Sequence, residues 1–214
     1  MIMEKNKPRW VSKRRLISLL NDSELKQNII SIEAIKSEKI KGVKGLESFE
    51  DVNKKVVVVE SKDFSLFIGL PFPFKEKSFD SIKDLLEILN KDITVGVLFF
   101  ELGSWVSGIV RYKKVLISKR GSRYIRGKHK TGGQSQRRFD RNREKWIEGL
   151  SKKVYEDIKK YILPEQSNID YFVILGEQNR LNEFLKITDL SKVLKTKIIL
   201  KKSSMKNYNS KTIL

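Results

Sequence analysis

Four apolar runs, TVGVLFFE (94–101), SWVSGIVRY (104–112), VLISK (115–119) and SRYIRG (122–127), follow one another with links of only two residues. A parallel crossover needs about a dozen residues, so links this short permit antiparallel neighbours only. The region must therefore be a meander. After it, Phe139, Trp146, Leu150, Val154, Ile158 and Ile162 recur at sevens and fours until Pro164, which predicts one long amphipathic helix. The segments YFVILG (171–176), QNRLNEFLK (178–186) and TKIILKK (196–202) then read as strand, helix and strand, a β-α-β unit that adds parallel strands. The expected fold class is α/β: a mixed sheet with an antiparallel meander and a β-α-β unit, covered by helices.

Upstream, KVVVVE (55–60) and FSLFIG (64–69) predict a hairpin ended by Pro71 and Pro73. A helix over 78–90 follows, with Ser78 as its cap and Phe79, Ile82, Leu85, Leu86 and Leu89 on one face. The first fifty residues read differently. Trp10, Leu16, Ile17, Leu19 and Leu20 form one helix-like patch, and Leu25, Ile29 and Ile32 behind a cap at Ser23 form another. The expected organisation is a basic helical N-terminal arm over 1–50, a single catalytic domain over 51–202 and a polar C-terminal tail over 203–214.

Charge bounds the partner. The chain has 45 Lys and Arg against 26 Asp and Glu, a net charge of +19, far more than solubility requires. A polyanion is implied, and nucleic acid is favoured over membrane. FSLFIGLPFPF (64–74) is too short to span a bilayer, ITVGVLFFELGSWVSGIV (93–110) is interrupted by Glu101, and the N-terminus has no apolar signal segment. With no cysteine and one histidine, disulfides and thiol catalysis are excluded and a metal site would rest almost wholly on carboxylates. No metal and no cofactor are expected, in a cytoplasmic setting. The composition, rich in Lys and Glu, is compatible with an archaeal source.

The charge is concentrated. Between Arg111 and Lys153 there are sixteen Lys or Arg and three Asp or Glu, and in their midst lies a neutral tip, Gly132-Gly133-Gln134. Arginine outnumbers lysine around this tip, and its planar fork suits phosphates and base edges. The glycines admit three readings. They form a flexible turn, or a phosphate cradle at a helix N-terminus, or a slender tip that carries Gln134 into a narrow site. Gly127, Gly132 and Gly133 lack the Lys-Ser/Thr pair of a nucleotide-binding loop. A neutral amide on such a tip can work without titrating, by placing a water and donating a backbone N–H to charge developing on oxygen.

The string Gly132-Gly133-Gln134, followed by Ser135, Arg138, Phe139 and Arg141 on a long helix, resembles the catalytic loop of archaeal and eukaryotic class-1 translation release factors. The larger stretch GSRYIRGKHKTGGQSQRRF (121–139), with strands before it and the β-α-β unit after it, resembles the release-factor-like peptidyl-tRNA hydrolases of ribosome quality control, the Vms/ANKZF group and its prokaryotic relatives. The resemblance spans roughly 94–202 and implies the fold of the release factor middle domain. It further implies a loop over 128–138 that enters the peptidyl-transferase centre. Gln134 would orient water onto the ester of peptidyl-tRNA, and Gly132 and Gly133 would permit the necessary backbone shape. Arg126, Lys128, His129, Lys130, Ser135, Arg137, Arg138 and Arg141 would hold RNA. The implied partners are large-subunit ribosomal RNA and peptidyl-tRNA, met by a monomer.

The departures bear on function. Only about 90 residues precede the meander, and AIKS (34–37) is a faint echo of the Asn-Ile-Lys-Ser decoding motif without its cysteine-bearing companion. Codon-independent rescue of stalled ribosomes is therefore expected rather than stop-codon termination. Two alternatives stay open: a nuclease cutting near the tRNA 3'-CCA end, and a noncatalytic ribosome-binding module. Asp140, Glu144 and Glu148 are the carboxylates a nuclease would use, although pairing of Asp140 and Glu144 with Arg137, Arg141 or Lys145 on the same helix is expected instead.

Overall fold

The structure, a computed structural model, describes residues 2–4, 7–9, 11–40, 55–70, 72–74, 79–125, 134–194 and 196–202. The expected connector at 41–54, the proposed cap Ser78 and the tail 203–214 lie outside them. The chain forms two compact units, Met1–Lys91 and Asp92–Leu214.

The first unit corrects the expected arm. Its strands are β1 (Ile2–Glu4), β2 (Lys7–Arg9), β3 (Ile29–Lys36), β4 (Lys55–Ser61) and β5 (Ser65–Ile68), in the order β2-β1-β5-β4-β3. The hairpin at 55–69 is thus the centre of a sheet whose other strands come from the first forty residues, and the chain divides after Lys91, where the expected domain ran unbroken from 51 to 202. Ile29 and Ile32 sit three apart and fit a helix locally. They join β3 because Ser31–Lys36 pair antiparallel with Lys55–Glu60, a partnership some two dozen residues away that no local pattern announces. Among the described residues, the α-helices that accompany the sheet are α1 (Lys13–Leu20), α2 (Ser23–Asn28) and α3 (Ile82–Asn90). Asp22, one residue ahead of the expected Ser23, caps α2 by accepting from the Leu25 N–H at 3.0 Å. Asp84 performs the reverse service for α3, accepting the N–H groups of Asp80 and Ser81 at 2.9 Å each. Leu16, Leu20, Ile82 and Leu85 bury against Val57, Val59, Leu66 and Ile68.

The second unit is the predicted mixed sheet. The meander is β6 (Thr94–Glu101), β7 (Ser104–Arg111) and β8 (Lys114–Ser122), with the last two expected strands merged into one as far as Ser122. A 28-residue helix, α4 (Gln134–Tyr161), precedes β9 (Tyr171–Gly176), α5 (Gln178–Ile187), the short α6 (Leu190–Val193) and β10 (Lys197–Lys202). The order is β10-β9-β6-β7-β8, with β9 parallel to both of its neighbours. Leu98, Phe100, Trp105, Ile109, Phe172 and Ile174 on one sheet face bury against Leu150, Val154 and Ile158 of α4 and Leu181 and Phe184 of α5. Val97, Phe99 and Val106 form a smaller cluster on the opposite face.

Trp105 locks α4 to the meander. Its indole is 1% exposed and lies over Gly121 of β8, where an added Cβ would come 2.0 Å from the ring. Its N–H donates to an Asp157 carboxylate oxygen on α4 at 3.0 Å, and the Lys153 ammonium stands 5.5 Å from the ring centroid. One side chain therefore joins β7, β8 and α4. Glycine at 121 is required by this close approach, so Gly121→Ala should destabilise the second unit by at least about 1–3 kcal/mol through overpacking, read as a lower urea midpoint.

Candidate nucleic-acid interface

The two ends of the loop are set by different elements. β8 delivers the chain to Arg123–Ile125, and α4 receives it at Gln134. Arg126, Lys128, His129, Lys130, Gly132 and Gly133 lie outside the described residues. Gln134 and Ser135 are the first residues of α4. Arg137, Arg138 and Arg141 follow within the first two turns, all exposed, and none of their side chains makes an ion pair or hydrogen bond among the described residues.

The two halves of α4 differ in what holds them. Among the described residues the first buried side chain of α4 is Ile147, followed by Leu150, Val154 and Ile158. Each fully buried aliphatic side chain of this kind contributes roughly 1.5–3 kcal/mol, so the sheet holds the helix by its second half. At 1.5 Å per residue, the thirteen steps from Gln134 to Ile147 carry the loop's end about 20 Å from that anchorage. Trp146 and Phe139, expected on the buried stripe, are only half-buried. They meet each other edge to face, ring centroids 6.4 Å apart at 89°.

The electrostatics of the first half favour an anion. Its opening turn has no acidic residue, and Arg137, Arg138 and Arg141 crowd the positive end of the helix dipole. The expected neutralisation by neighbours does not occur. Asp140 instead accepts from the Gln136 side-chain amide at 3.2 and 3.4 Å, and no ion pair is formed by Glu144 among the described residues. The reason is geometric: Gln136 and Asp140 are four apart and satisfy each other, leaving the guanidiniums to solvent. Farther along, charges do pair. Lys152 donates to Glu148 at 2.6 Å, and that hydrogen bond, with the charges of Lys152 and Lys145, holds the Glu148 carboxyl below the usual range. Glu156 accepts from Lys159 at 2.6 Å and raises the Lys159 ammonium in the same way. Both pairs are exposed and add little stability.

Two arginines beyond the expected set belong to this surface, together with Tyr124, whose ring the sequence offers for base stacking. Arg143 has a buried Nε with no acceptor. Arg123 crosses α4 at Gly149, where an added Cβ would come 2.6 Å from a guanidinium nitrogen. Tyr124 is 86% exposed beside the loop's first stem. The sequence signal for Arg123 was Gly149 itself, a helix-interior glycine that costs about 1 kcal/mol against alanine unless something needs the space. Among the described residues, no group of three or more His, Cys, Asp or Glu is placed to hold a metal ion, and no helix is long and apolar enough to cross a membrane.

Comparison with known proteins assigns the second unit. A family model described as "Actinobacteria/chloroflexi VLRF1 release factor" matches residues 93–201, just over half of the chain. Peptide chain release factor subunit 1 of Aeropyrum pernix is 28% identical over 108 residues, covering 50% of this chain and 28% of the relative. Its counterpart from Methanopyrus kandleri is 31% identical over 118 residues, covering 55% and 29%. The chain thus spans less than a third of the length of these relatives. Among solved structures, the Vms1 mitochondrial localization core is similar at 13% identity with a TM-score of 0.40, covering 72% of this chain and 66% of that one.

If the exposed arginines meet phosphates, each removes about one counterion-release increment. Arg137→Ala and Arg141→Ala should each reduce the slope of log affinity against log salt for single-stranded RNA by about 0.7, measured by fluorescence anisotropy across a salt series.

Proposed function

The chain belongs to the family this model describes, the Actinobacteria/chloroflexi VLRF1 release factors, and from that premise we propose that it is a peptidyl-tRNA hydrolase that frees nascent chains from stalled ribosomes or their large subunits. The observation that carries the reading is the sequence Gly132-Gly133-Gln134, whose glutamine begins a long, basic helix, within a release-factor-type domain. The helix stands on the sheet by its second half, which leaves the tip about 20 Å of reach into RNA. Arginines on either side of the tip hold phosphates, and the neutral tip enters the space where the ester lies.

Chemistry at the ester follows from what the tip can supply. Gln134 offers an amide that orients a water without taking its proton and a backbone N–H directed at the oxyanion of the tetrahedral intermediate. Attack of that water on the ester carbonyl breaks the bond to the terminal ribose, frees the peptide as a carboxylic acid and returns the 3'-hydroxyl to the tRNA. Gly132 and Gly133 let the backbone approach closely. Ribosomal RNA provides the rest of the site, in a cytoplasmic setting and with no metal or cofactor of the protein's own.

Independence from the codon is supported by how residues 34–37 are used. Ala34, Ile35 and Lys36 pair with Val57, Val56 and Lys55 in the first unit's sheet, and Ser37 is buried. The tetrad that echoes a decoding motif is therefore committed to strand pairing.

Two variants test the reading. Gln134→Ala and Gly133→Ala should each slow release from large subunits carrying peptidyl-tRNA about 100-fold or more while leaving subunit binding intact, and unimpaired release by both would sink the proposal. Sizing the freed tRNA separates ester hydrolysis, which leaves the CCA end whole, from nuclease action, which shortens it.

A further inference from the structure

We infer that Tyr124 is a stacking platform for an unpaired RNA base, fixed outside the loop tip by a clamp between Arg123 and Gly149. An exposed tyrosine alone would say nothing, because single apolar residues are common on surfaces. The way this one is held says more. The Arg123 N–H donates to the Gly103 carbonyl at 2.9 Å, and the Arg123 guanidinium lies against α4 in the space left by Gly149. Ile125, on the other side, packs against the core cluster beneath α4. Trp105 reaches α4 from over Gly121, so Gly121, Arg123 and Ile125 all turn toward the helix. Arg120, Ser122 and Tyr124 alternate with them and turn away. Tyr124 is therefore anchored through both neighbours while the residue is 86% exposed, more than any other large hydrophobic residue described.

The surroundings select the ligand. The ring stands within the Arg111–Lys153 stretch, with sixteen cations against three anions, and the exposed Arg120 shares its side of the chain. A polyanion that offers flat apolar faces fits this surface, and single-stranded RNA is that ligand; a duplex keeps its base faces stacked away from reach. The inference rests on the hydrolase reading only for where such RNA is met, since the loop that begins at Arg126 would bring Tyr124 beside the RNA around the reacting ester. Stacking there would fix the angle of the loop's first stem.

The test uses the full chain and an unstructured RNA of about a dozen nucleotides, alone or annealed to its complement. Tyr124→Ala should weaken binding to the single strand about tenfold or more, Tyr124→Phe should bind like the parent, and Tyr124→Leu should behave like Ala. Duplex affinity and the salt slope should not change, nor should the unfolding midpoint. Gly149→Ala, which expels the Arg123 guanidinium, should cause a smaller loss with an equal or higher midpoint, and no further loss in the Tyr124→Ala background. Retained single-strand affinity in Tyr124→Ala, or an equal loss on duplex, overturns the proposal. If that variant binds RNA normally but large subunits weakly, Tyr124 meets protein and the inference is wrong. A Gly149→Ala loss that persists without Tyr124 overturns the clamp. None of these readouts needs peptide release, so this proposal and the hydrolase reading can fail separately.

Discussion

The junction of Trp105, Gly121 and Asp157 is the contact that fixes β8 against α4, the two elements that flank residues 126–133. Trp105 lies flat over a strand residue that has no side chain and donates its indole N–H to a carboxylate on α4. β8 forms the first stem of the loop and α4 the second, so the same side chain fixes the relation of both stems. A buried indole N–H without an acceptor would cost about 1–3 kcal/mol, which makes the Asp157 partnership a condition of the packing. Farther out, Arg123 against Gly149 repeats the device: a chain segment leaving β8 approaches α4 closely because a glycine makes room.

Beyond that anchorage the physical logic of α4 reverses. Its second half is stabilised by burial of Ile147, Leu150, Val154 and Ile158, and its exposed charges form pairs such as Glu148 with Lys152. Among the described residues, nothing ahead of Ile147 is fully buried, and Arg137, Arg138 and Arg141 stand unneutralised at the positive end of the dipole. A helix of that composition is poorly satisfied in water and well satisfied against phosphates. The free energy that keeps it helical comes from the far end, through cooperativity along continuous hydrogen bonds. This explains why one uninterrupted 28-residue helix serves where two short ones would not.

What could be read from the sequence depended on how local the governing interaction was. Links of two residues forced the meander, the seven- and four-residue recurrence gave α4, and the sequence TKIILKK supplied the parallel partner of β9. The first unit was misread because Ile29–Lys36 has no local preference strong enough to identify it. Its strand character comes from pairing with Lys55–Ser61, which also makes the hairpin part of the first unit. The merging of 115–119 and 122 into β8 escaped notice because Arg120 and Gly121 look like a turn, whereas Gly121 is there for Trp105. Of the candidate site, the exposed arginines of α4 were legible from charge alone, but their lack of partners was not: Asp140 and Glu144 stand at pairing distance in sequence, and Asp140 is taken by Gln136.

Two pairs of glycines in the second unit differ in what they permit. Gly121 and Gly149 are absences that let large side chains, Trp105 and Arg123, bring strand and helix together. Gly132 and Gly133 precede Gln134 in a stretch, 126–141, whose charged residues are mostly cationic. A glycine costs conformational entropy on folding, so each must be repaid by what it permits. At 121 and 149 the repayment is visible in the packing. At 132 and 133 the proposed function supplies it: close approach of the backbone to peptidyl-tRNA.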